Sequence, residues 1–165
     1  MFHLRSIICT IAMVFCNGCQ SLPSRGFRDD SYSATRLKQA AFDLSWDSLD
    51  GDKKGFTTLY PAGDAARFLW QTGTPATPAL ISSLEDTNRG VAAHIILTYI
   101  YHRDRITPKL HWIYAATERG PVGVILTVNG LSWTERWDPN FRSVRRDDLK
   151  QNAARWRSEL QNRSR

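Results

Sequence analysis

The chain reads as an α+β fold, mainly helical, and three observations predict it. Residues 61 to 102 carry three apolar segments at helical spacing. An Asn129-Gly130 pair separates two β-rich runs, VGVILTV and LSWTERW. Leu149, Ala153, Trp156 and Leu160 recur at helical intervals near the C-terminus. The expected architecture is a helical hairpin set against a C-terminal β-hairpin and a terminal helix. A hydrophobic content of 42% and six tryptophans in 165 residues suffice for a real core, which argues against wholesale disorder. The length suits one domain.

Residues 1 to 19 stand apart from that core. MFHLRS carries Arg5, IICTIAMVF is an apolar run, and CNGC follows. This is the pattern of a secretion signal, and the apolar run is too short to span a bilayer as a helix. Gly18-Cys19 resembles the cleavage site of bacterial lipoproteins, in which the cysteine becomes the lipidated N-terminus. A soluble exported protein and an uncleaved anchor are the other two readings of the same signal. Cys9, Cys16 and Cys19 all lie in this segment, so the remainder has neither disulfides nor thiol chemistry. An acylated Cys19 needs no pairing partner. The expected location is the cell envelope, with membrane attachment through the lipid on Cys19.

Residues 20 to 33, rich in Ser, Gly, Pro and charge, read as a tether, and residues 34 to 162 as a single globular domain. Ser33 or Thr35 can cap a first helix with Leu37, Ala40, Ala41 and Leu44 on one side. Trp46 ends that helix or packs just beyond it. Asp47 to Gly55 is a polar loop. Asp50 and Asp52 lie at calcium-loop spacing, but Lys54 takes a ligand place and Pro61 stands where the bidentate acid belongs, so a solvated turn is the better reading. Pro61 suits a helix N1 position, Ala62, Ala65, Ala66 and Leu69 follow, and Gly73 supplies the stop. Thr77-Pro78 reads as an N-cap followed by proline, ahead of Leu80, Ile81 and Leu84. Asp86-Thr87-Asn88 is turn chemistry. Val91, Ile95, Thr98 and Tyr99 form one face of the next helix, which Ile96 and Ile100 widen. Apolar over much of its circumference, that helix should be the most buried.

Gly73, Ala76, Pro78-Ala79-Leu80-Ile81, Leu84, Asp86, Asn88, Val91 and Ala93 together resemble a HEAT repeat of the phycobilisome-lyase-like kind. The resemblance covers residues 61 to 102. It implies a stacking unit that cannot bury its own apolar face, and hence a binding or scaffold role. The missing neighbours must come from the rest of the chain or from a partner.

Beyond the core, Thr107-Pro108 can start a helix that Gly120 closes. Leu110, Trp112, Tyr114 and Ala116 alternate at strand spacing instead, and residues 108 to 119 support both readings. In the hairpin, Val122, Val124, Leu126 and Val128 share a face, with Leu131 and Trp133 across the turn. Asp138-Pro139-Asn140 should end it. The last helix is expected from Asp147 to about Gln161, anchored by Trp156.

No residue pattern announces catalysis. His94 and His102 are eight positions apart, too far to share a metal, and no cysteine is near, so no metal or cofactor is expected. His102-Arg103-Asp104 matches a protein-kinase triplet, but Lys109 stands where asparagine belongs and no glycine-rich loop exists. Ser82 and Ser132 lie outside any nucleophile elbow. Asp147-Asp148 and Glu85-Asp86 fall at helix ends, where carboxylates serve caps and dipoles. The function expected first is non-enzymatic: a binding or scaffold domain of the envelope with a protein partner. The alternative is an envelope hydrolase with a site assembled from His102, Asp104 and His111.

The formal charge of +6 is mostly terminal, since residues 136 to 165 carry eight Arg and one Lys against four acids. Arg142, Arg145 and Arg146 should precede the last helix free of its packing and are candidate contacts to an anionic surface. The export signal argues against nucleic acid and for lipid or glycan. A solvated basic face is the simpler reading of the same charges.

Overall fold

The apolar helix expected to be most buried is the wall that two hydrophobic layers share. A computed structural model describes residues 33–51, 59–137 and 140–165. The signal segment with Cys19, the tether up to residue 32 and the tip of the polar loop, residues 52–58, lie outside the described residues.

Helix α1 (Ala34–Phe42) starts at Ser33, whose hydroxyl accepts from Arg36 N, and it buries Leu37, Ala40 and Ala41. A short 3-10 turn at Trp46–Ser48 leads into β1 (Leu49–Gly51), which pairs antiparallel with β2 (Leu59–Pro61). Helix α2 (Gly63–Thr72) ends at Gly73, where a φ of 71° favours glycine. Helix α3 (Thr77–Ser83) and helix α4 (Gly90–Tyr101) follow. Ten of the twelve α4 residues are buried, so no side of this helix faces water along most of its length. Ala92, Ala93, Ile96 and Leu97 join a cluster with α1, α2, α3 and α5. Val91, Ile95 and Tyr99 join a second cluster with the sheet.

That sheet is a four-stranded antiparallel meander in chain order: β3 (Lys109–Tyr114), β4 (Pro121–Val128), β5 (Leu131–Trp137) and β6 (Asn140–Ser143). Its tight turn is Asn129-Gly130, with φ of 40° and 82°, as the dipeptide predicts. Leu126 pairs with Trp133 and Val128 with Leu131, which places the apolar side chains of both strands on the face towards α4. Helix α5 (Arg146–Arg163) closes the structure by inserting Leu149, Ala153 and Trp156.

Several expectations change. Pro61 does not open a helix. It ends β2 opposite Leu49, and Ala62 donates its N–H to the Ser48 carbonyl at 2.8 Å, so the helix begins two residues later. Thr77 is not an N-cap, because a 3-10 turn over Thr74–Ala76 already runs into α3 and Thr77 lies inside the helix. Its hydroxyl instead meets the Tyr101 hydroxyl at 2.8 Å. Residues 109–114 are strand. The hairpin's second strand ends at Trp137 as expected, but the chain stays in the sheet: Asn140 opens β6, which pairs with β5. The last helix starts at Arg146, one residue before Asp147.

Candidate functional site

The titratable groups of the core are held by structural partners. His94 lies on the fully buried face of α4, between α5 and the hairpin. Its Nε2 is 2.9 Å from the Val128 carbonyl, and its Nδ1 is 2.9 Å from the indole nitrogen of Trp156. A carbonyl only accepts and an indole N–H only donates, so the ring must be the neutral Nε2–H tautomer. Burial pushes its pKa down to about 3, with the charges of Arg155 and His102 acting in the same direction. His94 is therefore a core histidine that ties three elements together.

His102 follows α4, and its Nε2 donates to Glu159 Oε1 at 2.5 Å while its ring packs on Trp156. Burial raises the Glu159 pKa, but hydrogen bonds from Arg163 and His102 outweigh it and leave the carboxyl below its ordinary value. Asp104 is exposed in the following 3-10 turn, 3.8 Å from Arg105. His111 is exposed on β3 opposite Ile125. No hydrogen bond or ion pair among the described residues joins His102, Asp104 and His111, and His102 has a carboxylate partner from α5 that its sequence neighbourhood does not suggest.

The basic residues also separate. Arg142 lies on β6 ahead of the last helix, but it is engaged elsewhere: its guanidinium reaches the Trp46 carbonyl at 3.3 Å, Asp47 at 3.5 Å and Glu135 at 3.7 Å. Arg145 occupies the N-cap position of α5 without a side-chain capping hydrogen bond, and Arg146 is the first residue of the helix, so both sit at its terminus. Both are exposed, and no ion pair among the described residues holds them.

Two surface features lie outside those expectations. The first is aromatic. Trp112 is the Cα partner of Val124, and Trp137 alternates with Trp133, so both indoles continue the apolar face of the sheet. They meet with ring centroids 6.0 Å apart, yet stay 38% and 43% exposed, and Tyr114 on the same strand is 67% exposed. The alternation of Trp112 and Tyr114 is visible in the sequence; their exposure depends on where the helical layer stops.

The second is a polar cavity of about 410 Å³ between the Asn129-Gly130 turn and α5. Arg155, Asp148, Ser132 and Asn152 line it. The Arg155 guanidinium is placed by the Asn152 carbonyl oxygen at 2.8 Å, and burial lowers its pKa. Gly130 makes room: a Cβ there would stand within 2.3 Å of the Arg155 Nη1. The other end of the Asn152 amide, its Nδ2, is buried with no hydrogen-bond partner among the described residues. Sequence gives no warning of this cavity, because its walls come from a turn and a helix that are distant in the chain.

No family model matches the chain, and neither a curated protein nor a solved structure matches it.

Proposed function

We propose that this chain is a non-enzymatic binding domain of the bacterial cell envelope, exported and held at a membrane by lipid on Cys19, and that its partner is a protein. The α3–α4 pair is read as a HEAT-like hairpin whose stacking neighbours are α1, α2 and α5 of the same chain. Its apolar face is thereby occupied, and the partner docks elsewhere. The observation that carries the reading is the exposed Trp112–Trp137 pair with Tyr114 beside it. Large aromatics left in contact with water at the end of an otherwise buried face are the composition of a protein-docking hot spot. The hydrolase alternative has no comparable support, since its three residues do not meet.

The test is photocrosslinking of the tagged protein in envelope fractions. The unaltered protein should give discrete crosslinked partners, and the double variant Trp112→Ala/Trp137→Ala should lose them without a shift in unfolding midpoint. The same partners captured by both proteins would refute docking at this surface. Mass spectrometry of the mature N-terminus tests the anchor separately: a diacylated or triacylated Cys19 is expected, and an unmodified N-terminus beginning after residue 19 would refute it.

A further inference from the structure

The cavity between the hairpin turn and α5 holds a cation and an anion that do not neutralise each other. Asp148 and Arg155 are seven positions apart on α5, which is two turns and about 10.5 Å of rise, so both lie on the side facing the cavity. Neither side chain is in a salt bridge among the described residues, although the Glu159 charge acts on Arg155 from further along the helix. The contact that holds Arg155 is a neutral amide oxygen, and the acid next along the helix, Glu159, is engaged by His102 and Arg163. A second cavity of about 330 Å³ adjoins the first through Ser132 and Asp148.

Helix and turn together accept an unfavourable arrangement to keep this geometry. Asn152 is 4% exposed, and one of its two polar ends has no hydrogen-bond partner among the described residues, an unfavourable state for a buried amide. Its satisfied end aims the guanidinium. Such an uncompensated buried group beside a cavity is the mark of a site built for something other than stability.

We propose that this cavity binds a short peptide by its two free ends, with the terminal carboxylate on Arg155 and the terminal ammonium near Asp148. A lone polyanion would be repelled by Asp148, and a lone cation by Arg155. A single amino acid carries both charges on groups bonded to one carbon, too close together to reach both side chains. An extended dipeptide or tripeptide spans about 7–10 Å, which suits two side chains reaching inward from points two helical turns apart. Cavities of this size accommodate ligands of that bulk. Asn152 is a positioning residue that sets the guanidinium.

The test titrates the full chain by calorimetry with alanyl-alanine, its C-terminal amide, its N-acetyl form and inorganic phosphate. Saturable binding of the free dipeptide is expected, with the amide and the acetyl form each at least ~10-fold weaker and phosphate weaker still. In Arg155→Gln the free dipeptide and its amide should bind equally, and in Asp148→Asn the free and acetylated forms should. No dipeptide binding, equal binding of all three peptides by the unaltered protein, or equal binding of phosphate would overturn the proposal. Should either variant fail to fold, the ligand series on the unaltered protein still decides. The site is independent of the aromatic docking surface, so Trp112→Ala/Trp137→Ala should leave dipeptide binding unchanged.

Discussion

His94 shows how one residue type acquires a role from its neighbours. Its two ring nitrogens connect a helix on one side to a strand carbonyl on the other, and its charge state follows. The folded pKa of about 3 lies below the ordinary 6.5, so on acidification the unfolded chain takes up a proton that the folded one refuses. Stability is therefore full above pH 6.5 and is lost as pH falls from there towards 3. At about 1.36 kcal/mol per unit, the loss between pH 7 and pH 5 should be about 2 kcal/mol. Urea titrations of the unaltered protein and of His94→Gln at the two pH values check it. Glutamine can donate to Val128 and accept from Trp156 without titrating, so the difference between the two proteins isolates His94. Equal acid sensitivity in both would show that another group is responsible. Trp156 is the second residue of this kind. Fully buried between His94, Tyr101 and His102, it should make Trp156→Ala destabilising by ~3–5 kcal/mol, measured by the same titration. A loss no greater than that of a surface variant would mean that α5 is not docked.

At the scale of elements, the junctions between helices depend on a contact that apolar periodicity does not reveal. Asp86 holds the α3–α4 turn by accepting from the N–H groups of Asn88 and Arg89 and pairing with the Arg89 guanidinium, and that side-chain hydrogen bond holds its carboxyl below the usual range. Gly90 then starts α4 so close to α3 that a Cβ would stand 2.4 Å from the Leu84 carbonyl oxygen and 2.9 Å from Leu149. The first of these neighbours is backbone and cannot step aside. Gly90→Ala should therefore destabilise by about 1–3 kcal/mol, although alanine is the better helix former. Thermal unfolding of the variant measures it, and a gain in stability would refute the close approach. The turn residues Asp86 and Asn88 were legible in the sequence; the need for glycine at position 90 was not, because it arises from α5 and the end of α3 meeting at one point.

The whole molecule is organised by α4, which is the common wall of the helical cluster and the sheet cluster. Leu49 and Trp70 pack against both clusters as well. Neither layer can lose its apolar cover without exposing the other side of the same helix, so the two should unfold together. Helical circular dichroism and tryptophan fluorescence should report one coincident transition in urea. Separate midpoints would mean that the two layers do not unfold as one.

What the sequence determined by itself was whatever depends on local chemistry. The first helix cap at Ser33, the stop at Gly73, the Asn129-Gly130 turn and the amphipathic last helix all rest on backbone preferences or on periodicity within a few residues. The burial of α4 was also legible, because an apolar surface on all sides has nowhere else to go. The tertiary structure decided what depends on partners distant in the chain. Residues 109–114 carry both helix and strand spacing, and the edge of β4 selects strand by pairing Leu110 with Leu126 and Trp112 with Val124. Pro61 is read as a helix start until β1 claims it. His102 finds Glu159 rather than Asp104, and Arg155 meets a turn 25 residues away. Charge and hydrogen-bonding capacity can be counted along a chain, but which charges meet is set by packing, and here packing leaves Asp148 and Arg155 facing one cavity with no salt bridge to either among the described residues.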